Sequence, residues 1–178
     1  SGAIGISIAH FRENTKVDLI DYYDVPEKVT KRNIVKQKLS NRAKFIKSDL
    51  LNEVINQQKK YDILVSNPPY IKEEVIDTLM EDVKDYEPHT ALSGGNDGLD
   101  FYRRIVDDSD KILKENGILA FEIGHDQGEE VSNLMIEKGY KNVRVVKDLA
   151  GLDRVVIGNI LWYNKMLRLY EKKRWTVC

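Results

Sequence analysis

Short apolar runs alternate with longer amphipathic segments along most of this chain, and this alternation restricts its fold more than any other feature. The runs have the length and the aliphatic content of buried strands, whereas the segments between them carry apolar residues at helical spacing. Strands that alternate with helices are typical of a parallel sheet with right-handed crossover connections. The sequence therefore predicts an α/β fold with a doubly wound, mostly parallel sheet and a C-terminal antiparallel hairpin.

The order of the elements follows from the same periodicity. We predict strands over residues 16–21, 43–49, 61–66, 118–123, 142–147 and 154–163. We predict helices over residues 25–39, 51–59, 100–114 and 126–138, the last closed by Gly139. Residues 1–11 fit a helix and a strand equally well. One or two short helices are expected between residues 72 and 85, a long connection over 87–99, and a turn at Asn116-Gly117.

The composition is that of a globular protein with a single core. A chain of 178 residues with 42% hydrophobic and 32% charged residues fits one domain. Because 28 basic residues face 29 acidic ones, the net charge of −1 argues against recruitment of nucleic acid by a general positive field. The one cysteine, Cys178, excludes an intrachain disulfide, and no apolar stretch approaches about 18 residues. We therefore expect a cytoplasmic protein without a membrane partner and, since His10, His89 and His125 lack the spacing of metal ligands, without a metal.

The strongest functional signal is Asn67-Pro68-Pro69-Tyr70, which directly follows the apolar run over 61–66. That run is short and aliphatic, so we predict that it is a buried strand. The prolines fix φ and remove two backbone donors, which makes the loop stiff and leaves its carbonyl oxygens able to accept from a ligand. Ligands of open α/β sheets bind beyond the carboxyl ends of the strands, where this loop is predicted to lie. A simple strand-ending turn explains the same four residues equally well.

Two acidic residues follow earlier strands at positions where a nucleotide could bind. Asp21 ends the first predicted strand, and Ser1-Gly2-Ala3 before an apolar segment resembles the second half of a glycine-rich nucleotide loop. An acid at that strand end is placed to accept both ribose hydroxyls, although a solvated strand-end Asp fits the pattern equally well. Asp49 ends the second strand, where it could accept the exocyclic amine of an adenine or cap the next helix. Asp24 is expected to cap the helix that follows Asp21.

A series of short motifs extends over nearly the whole chain. They are Ser1-Gly2-Ala3-Ile4, Asp21 with Asn33, Asp49, Val65-Ser66-Asn67-Pro68-Pro69-Tyr70-Ile71, Glu87-Pro88, Ala91-Leu92, Gly94-Gly95, Asp97-Gly98-Leu99, Tyr102-Arg103, Glu122-Ile123-Gly124 with Gln127, and Asp148-Leu149-Ala150-Gly151-Leu152-Asp153-Arg154. Together they resemble the HemK-type glutamine methyltransferases, which modify class-1 peptide-chain release factors. The Asn-Pro-Pro-Tyr motif alone is shared with adenine and guanine methyltransferases, whereas the later segments are much more specific to this family.

The resemblance implies a Rossmann-like sheet and a specific reaction. Such enzymes transfer a methyl group from S-adenosylmethionine, leaving S-adenosylhomocysteine, to the side-chain amide nitrogen of the glutamine in the Gly-Gly-Gln motif of a class-1 release factor. The Asn67 side-chain oxygen and the Pro68 carbonyl would each accept one amide hydrogen, and Tyr70 would pack on the amide plane. Substrate contacts then fall on Asn67, Pro68, Pro69 and Tyr70. Cofactor contacts fall on Gly2, Asp21, Asp49, Leu50 and Asn67.

Two alternatives remain open at the level of the sequence. A nucleic-acid methyltransferase that acts on an exocyclic base amine would use a similar acceptor geometry and stack a flipped base on Tyr70. The family also begins with a helical domain, the first sheet strand and the Asp-x-Gly-x-Gly part of the cofactor loop, all of which would precede Ser1. We therefore expect residues 1–178 to be an N-terminally truncated methyltransferase domain with two sheet halves and unpaired edges. Such a piece could alternatively be a non-catalytic interaction module.

The segment after Asp21 departs from the family pattern. Tyr22-Tyr23-Asp24 is bulkier than the small polar residues that the family usually has there. For this reason, the sequence leaves open whether Asp21 or Asp24 faces the ribose.

Overall fold

The computed structural model describes residues 2–76, 78 and 88–161 of the chain. The chain divides into two compact units, Ser1–Lys59 and Lys60–Cys178. Three predicted parts of the chain lie outside the described residues. They are much of the region of short helices before residue 85, Glu87 of the long connection, and the end of the last strand at 162–163. In the described part, no helix is long and apolar enough to span a membrane. The assignment of residues 1–178 to one methyltransferase domain stays a prediction.

The first unit contains a two-stranded parallel sheet and three helices in its described residues. Its elements are α1 (Ala3–Phe11), β1 (Val17–Asp21), α2 (Asp24–Lys36), β2 (Ala43–Lys47) and α3 (Asn52–Asn56). The two strands pair in register, with Asp21 opposite Lys47 at their carboxyl ends. Leu19 in the middle of β1 belongs to a small buried core with Ala9 of α1 and Ile34 of α2. Burial of these apolar faces is what fixes the helices on the sheet.

Tight packing of α1 on β1 decides the segment that periodicity left open. The helix begins after Gly2, whose φ of 72° lies in the left-handed region. A Cβ atom added at Gly5 would lie 2.8 Å from Leu19 Cδ2, closer than a real side chain allows. Glycine at these positions therefore lets the helix approach the strand, and residues 3–11 are helical.

The predicted N-terminal cap of α2 is wrong. The helix begins at Asp24 itself, with Tyr23 as its N-cap and no side-chain cap bond. The Asp24 carboxylate instead forms an ion pair with Lys47, because the in-register pairing of the strands brings the end of β2 beside the start of α2. At the start of α3, the Glu53 amide donates to Ser48 Oγ at 2.9 Å.

The second unit holds a four-stranded mixed sheet. Its described elements are β3 (Tyr61–Ser66), α4 (Glu73–Ile76), α5 (His89–Leu92), α6 (Asp100–Ser109), β4 (Leu113–Glu122), α7 (Gly128–Lys138), β5 (Tyr140–Lys147) and β6 (Asp153–Ile160). The strand order is β3-β4-β6-β5. β3 is parallel to β4, whereas β6 is antiparallel to both β4 and β5. The predicted α/β fold with a C-terminal antiparallel hairpin is confirmed.

The core of the second unit is built from α6, α7 and one face of β4. Tyr102 and Phe121 are fully buried, and their rings meet edge to face with centroids 5.1 Å apart. Tyr140 is also buried, and its hydroxyl donates to Ser109 Oγ at 2.6 Å. α7 ends at Gly139 as predicted, with a left-handed φ of 106°. These contacts hold α6 against the sheet.

The expected burial of β3 is wrong. Its Ile63 and Val65 side chains are 55% and 41% exposed. In the described residues β3 pairs with β4 only, so it is an edge strand of its sheet. Aliphatic content predicts a strand here correctly, but burial also requires neighbours that cover the strand.

The boundary between α6 and β4 also differs from the prediction. α6 ends at Ser109, so Ile112 and Leu113 do not lie on a helix face, and β4 starts at Leu113. The predicted turn at Asn116-Gly117 lies inside β4, where Asn116 has a φ of 60°. The register with β3 shifts there, since Tyr61 pairs with Leu113 but Ile63 pairs with Ile118. Between these pairs β4 has three more residues than β3 (113 to 118 against 61 to 63), an irregularity with pairing on both sides of it.

Candidate functional site

The Asn67-Pro68-Pro69-Tyr70 loop leaves β3 at the carboxyl end of the parallel pair β3–β4. Ser66, the last residue of β3, pairs with Phe121 near the end of β4. The segment after β4, Ile123-Gly124, therefore lies at the same edge of the sheet as the loop. This is the edge where ligands of α/β sheets bind, as the sequence predicted for this loop.

Asn67 is exposed at this edge, whereas Pro68 is buried. No residue of the described part hydrogen-bonds to the Asn67 carboxamide or to the Pro68 carbonyl. The loop thus places two acceptors, the Asn67 side-chain oxygen and the Pro68 carbonyl, next to each other in sequence. No described residue forms a hydrogen bond with either.

The far end of the loop is fixed by backbone pairing. The Ile71 amide donates to the Leu92 carbonyl at 3.0 Å, and the Gly94 amide donates to the Ile71 carbonyl at 2.8 Å. Ile71 and Ser93 form an isolated parallel bridge. Residues 92–94 of the predicted long connection therefore form a short strand-like contact with the loop.

Two glycines let neighbouring segments approach Tyr70, and a third lies against Gln127. A Cβ at Gly94 would lie 2.8 Å from Tyr70 Cα, and a Cβ at Gly98 would lie 2.4 Å from the Tyr70 carbonyl oxygen. A Cβ at Gly124 would lie 2.9 Å from Gln127 Oε1. At Gly94 and Gly98 the nearest atoms belong to the backbone, so glycine is required there, whereas at Gly124 the Gln127 side chain would have to shift.

Gln127 lies at the centre of this convergence and is 4% exposed. Its Nε2 group donates to the Tyr70 carbonyl at 3.0 Å and to the Gly98 carbonyl at 3.2 Å. Its Oε1 atom accepts from the Gly124 amide at 3.0 Å. Sequence reasoning recorded Gln127 only as part of a motif and gave it no role. The pattern Gly-x-x-Gln after a strand was the available signal, but it does not identify partners 29 and 57 residues away.

Tyr102 supports the same region from α6. Its hydroxyl donates to the Glu122 carbonyl at 2.9 Å and lies 3.5 Å from Gln127 Oε1. Burial raises the pKa of Tyr102 well above its usual value, with smaller contributions from Tyr70 and Glu122. The phenol is therefore neutral and acts as a hydrogen-bond donor.

The hairpin turn between β5 and β6 supports the end of β4. Arg154 donates to Asp148 Oδ2 at 3.1 Å and, at 3.4 Å, to the Ile123 carbonyl. Asp148 Oδ1 in turn accepts from the Ala150 and Leu152 amides. The Leu152 amide, followed by Arg154 and the Ala150 amide, holds the pKa of Asp148 below its usual value. The predicted motif over residues 148–154 thus forms a self-capped turn anchored beside Gly124.

The predicted cofactor residues other than Asn67 all lie in the first unit. Asp21 is the last residue of β1, and its Oδ1 accepts from the Tyr23 amide at 3.2 Å. Asp49 and Leu50 follow the end of β2, and Leu50 has a left-handed φ of 48°. These three residues follow the carboxyl ends of two paired parallel strands, and Gly2 precedes α1.

Asp24 has a different environment from Asp21. Its hydrogen bond and ion pair with Lys47 hold the pKa of Asp24 below its usual value, and the same contact raises the pKa of Lys47. The side chain of Asp24 thus contacts Lys47 at the end of β2.

Comparison with known proteins identifies related sequences. The family model described as Eco57I restriction-modification methylase matches residues 4–141. A release factor glutamine methyltransferase of Clostridium botulinum is 51% identical over 156 residues, which cover 88% of this chain and 55% of that protein. A ribosomal protein uL3 glutamine methyltransferase of Francisella tularensis is 42% identical over 127 residues, 71% of this chain and 40% of that protein. The chain spans about half the length of the curated relatives it matches.

A solved structure supports the fold. The methyltransferase from Pyrococcus furiosus superposes with a TM-score of 0.62 at 16% identity, over 89% of this chain and 70% of that chain. At this identity the likeness concerns the fold alone.

Proposed function

We propose that this chain transfers a methyl group from S-adenosylmethionine to the side-chain amide nitrogen of a glutamine. The chain belongs to the Eco57I methylase family and to the HemK-type glutamine methyltransferases. The substrate we propose is the glutamine of the Gly-Gly-Gln motif in a class-1 peptide-chain release factor. Such factors act on cytoplasmic ribosomes, so the proposal implies a cytoplasmic reaction.

The observation that carries the proposal is the pair of acceptors at the end of β3. A primary amide has two N–H donors, and the exposed Asn67 carboxamide and the Pro68 carbonyl offer two acceptors that no described residue engages. One hydrogen bond to each would fix the amide nitrogen and raise its electron density. The nitrogen lone pair would then point away from the two acceptors.

Alignment of the reacting groups compensates for the low nucleophilicity of the amide nitrogen. The lone pair of an amide nitrogen is delocalised, so it reacts poorly in solution. Alignment of two reacting groups lowers a barrier by up to roughly 7–11 kcal/mol, and therefore no strong base is required. After methylation the nitrogen is acidic, and its proton passes to solvent as the product is released. Tyr70 would pack on the amide plane and exclude water.

The same geometry discriminates against a glutamate. A carboxylate has no N–H donor and would face the Asn67 and Pro68 oxygens with negative charge. A site built to hydrogen-bond an NH₂ group rejects an analogue that lacks it by about 10⁴-fold or more. Selectivity for glutamine therefore follows from the acceptor pair itself.

Residues of the first unit fit the methyl donor. The carboxylate of Asp21 at the end of β1 suits ribose hydroxyls, and Asp49 with Leu50 after β2 suits an adenine with an exocyclic amine. Between the two candidate ribose acids we favour Asp21, because Lys47 engages Asp24. Gly2 before α1 has the left-handed φ of a tight turn into the helix, and a Cβ there would meet Thr30 and Leu19. S-adenosylmethionine bound there would supply an electrophilic methyl group on a sulfonium.

The substrate class is tested by offering the protein different methyl acceptors in separate reactions. The full-length protein is incubated with methyl-labelled S-adenosylmethionine and a Gly-Gly-Gln release factor, its Gln→Glu form, ribosomal protein uL3, or duplex and single-stranded DNA. We expect label in the release factor only. Label in uL3 would assign the substrate named for the Francisella relative. Label in DNA would overturn the proposal in favour of an exocyclic base amine.

The role of the acceptor pair is tested by Asn67→Ala. We expect turnover to be abolished, whereas the dissociation constant for S-adenosylmethionine stays within about 3-fold of wild type, since the variant removes an acceptor for the substrate amide. Asn56→Ala, at an exposed position at the end of α3, is the matched control and is expected to be fully active. Turnover of Asn67→Ala within a few-fold of wild type would show that the assigned role is wrong.

A further inference from the structure

Every polar valence of the Gln127 carboxamide has a contact inside the second unit. The two Nε2 hydrogens go to the Tyr70 and Gly98 carbonyls, and Oε1 accepts from the Gly124 amide with the Tyr102 hydroxyl at 3.5 Å. The orientation of the amide is determined by these partners, because two carbonyls face one end and an N–H faces the other. A buried amide that is this fully satisfied has one stable rotamer.

These contacts join three separate segments at one point. Tyr70 ends the Asn67–Tyr70 loop, Gly98 belongs to the connection before α6, and Gly124 follows β4. The remaining backbone contacts of the loop end, through Ile71, hold it to residues 92–94 only. Gln127 is therefore the described side chain that ties the loop to the end of β4.

The stiffness of the loop transmits this restraint to the acceptors. Between the Pro68 and Tyr70 carbonyls, the ring of Pro69 fixes one φ, and its Cδ atom restricts ψ of Pro68 to the extended region. A shift of the Tyr70 carbonyl is therefore passed on in part to Pro68 and Asn67.

We infer that Gln127 is a positioning residue for methyl transfer, whose carboxamide holds the Tyr70 carbonyl and thereby sets where Asn67 and Pro68 present their oxygens to the acceptor amide. The inference rests on the proposed function, since it names what aligns the acceptors of that reaction. Gln127 does not itself touch the substrate. It acts through hydrogen bonds to the backbone of the loop.

Gln127→Glu tests the donor end of the side chain with almost no change in volume. An ionised carboxylate would face the Tyr70 and Gly98 carbonyls with negative charge, whereas the protonated form restores one donor and keeps an acceptor for Gly124. Burial raises the pKa of a carboxyl group, so the protonated form is populated as the pH falls. The activity of this variant relative to wild type should therefore rise toward low pH.

Two further variants serve as references. Gln127→Met keeps the length of the side chain but has no strong donor or acceptor, so its activity relative to wild type should be low at every pH. Gln37→Glu makes the same Gln-to-Glu change at an exposed position on the first unit, after α2, and should match wild type throughout. Nearby titratable groups, namely Tyr70, Tyr102, Glu122, Asp126 and Arg154, are common to all variants and cancel in the ratio.

The expected result is a split between kcat and cofactor affinity. Misplacement of a reacting group by about 1 Å costs about 100-fold in rate, so we expect kcat of Gln127→Glu to fall by about that factor at pH 8.5. Its ratio to wild type should recover at least about 10-fold by pH 6, since restoring one hydrogen bond to a buried group is worth about that much in an equilibrium constant. The dissociation constant for S-adenosylmethionine should stay within about 3-fold of wild type.

Three outcomes would overturn the inference. They are full activity in both Gln127 variants, a Gln127→Glu ratio that does not change with pH, and a Gln127→Glu chain that stays unfolded at every pH. The last counts because the protonated carboxyl group keeps the donor and the acceptor that the inference requires.

The ¹³C chemical shift of the Tyr70 carbonyl gives a readout that does not depend on the substrate. In Gln127→Glu it should titrate with the introduced carboxyl group, and in Gln127→Met it should differ from wild type at all pH values. If wild type transfers no methyl group to any glutamine but these shifts appear, the proposed function fails while the restraint on the loop stands. If the shifts are absent, the inference about Gln127 fails whatever the substrate.

Discussion

Replacing Gly98 with alanine should disrupt the loop after β3 far more than the same change at another left-handed glycine. Gly98 and Gly151 have similar φ values, +77° and +81°. A Cβ at Gly98 would lie 2.4 Å from the Tyr70 carbonyl oxygen and 2.7 Å from Gln127 Nε2, whereas nothing lies within 4 Å of a Cβ at Gly151. The pair therefore separates the cost of the backbone conformation from the cost of displacing the loop.

The magnitude follows from two contributions. Alanine in the left-handed region costs about 1–2 kcal/mol, and this cost applies to both variants. At Gly98 the Tyr70 carbonyl must also move, which breaks its hydrogen bond with Gln127 and adds about 1–3 kcal/mol for buried polar groups left unpaired. Gly151→Ala should therefore lose about 1–2 kcal/mol of unfolding free energy and Gly98→Ala about 2–5 kcal/mol.

Equilibrium unfolding in urea, followed by circular dichroism, measures both losses on the same protein. The slope of the unfolding free energy against urea concentration should be the same in both variants and wild type, so that differences in midpoint report differences in stability. Methyl transfer by Gly98→Ala should fall by about 100-fold because the acceptors move with the loop, and Gly151→Ala should remain active. Equal destabilisation of the two variants, or full activity of Gly98→Ala, would refute the argument that Gly98 is required for the position of Tyr70.

Two further predictions concern carboxylates. The folded pKa of Asp148 is lowered, so its contribution to stability is complete above the pKa of an unfolded Asp, about 4, and is lost as the pH falls toward the lower folded value. Thermal melts of Asp148→Asn should thus show a loss of stability at pH 7 that shrinks below pH 4, and a constant difference would contradict it. Asp21→Ala should weaken S-adenosylmethionine binding by about 10-fold or more, the value of a charged hydrogen bond, while Asp24→Ala should not. Calorimetric titration of both variants checks this, and the reverse order would assign the ribose to Asp24.

Local signals in the sequence were sufficient for most of the elements. Apolar periodicity located the strands and the longer helices to within a few residues, because a strand or a helix needs only neighbours in sequence to define its faces. It failed at Ile112 and Leu113, where the same apolar pair fits the end of a helix and the start of a strand. At Asn116-Gly117 it indicated a turn, and the structure has a left-handed Asn116 there, inside β4, where the register with β3 shifts.

Of the candidate site, the sequence supplied the position of the loop and the chemistry of its atoms. Asn67 and Pro68 were identified from residue type and from their place after a strand. The support beneath them was not identified. Gln127 lies 57 residues after Tyr70, and a single amide among polar residues carries no sign of its partner.

The sequence by itself determined what depends on covalent structure and on close neighbours. The two prolines stiffen the loop wherever it lies, and Gly98 and Gly139 permit left-handed backbone without reference to the rest of the chain. Only the tertiary structure decided which groups meet. The hydrogen bonds of Gln127 and the exposure of β3 depend on segments far apart in sequence. Buried polar groups need hydrogen-bond partners because packing removes water from them, and no single residue determines which partner that is.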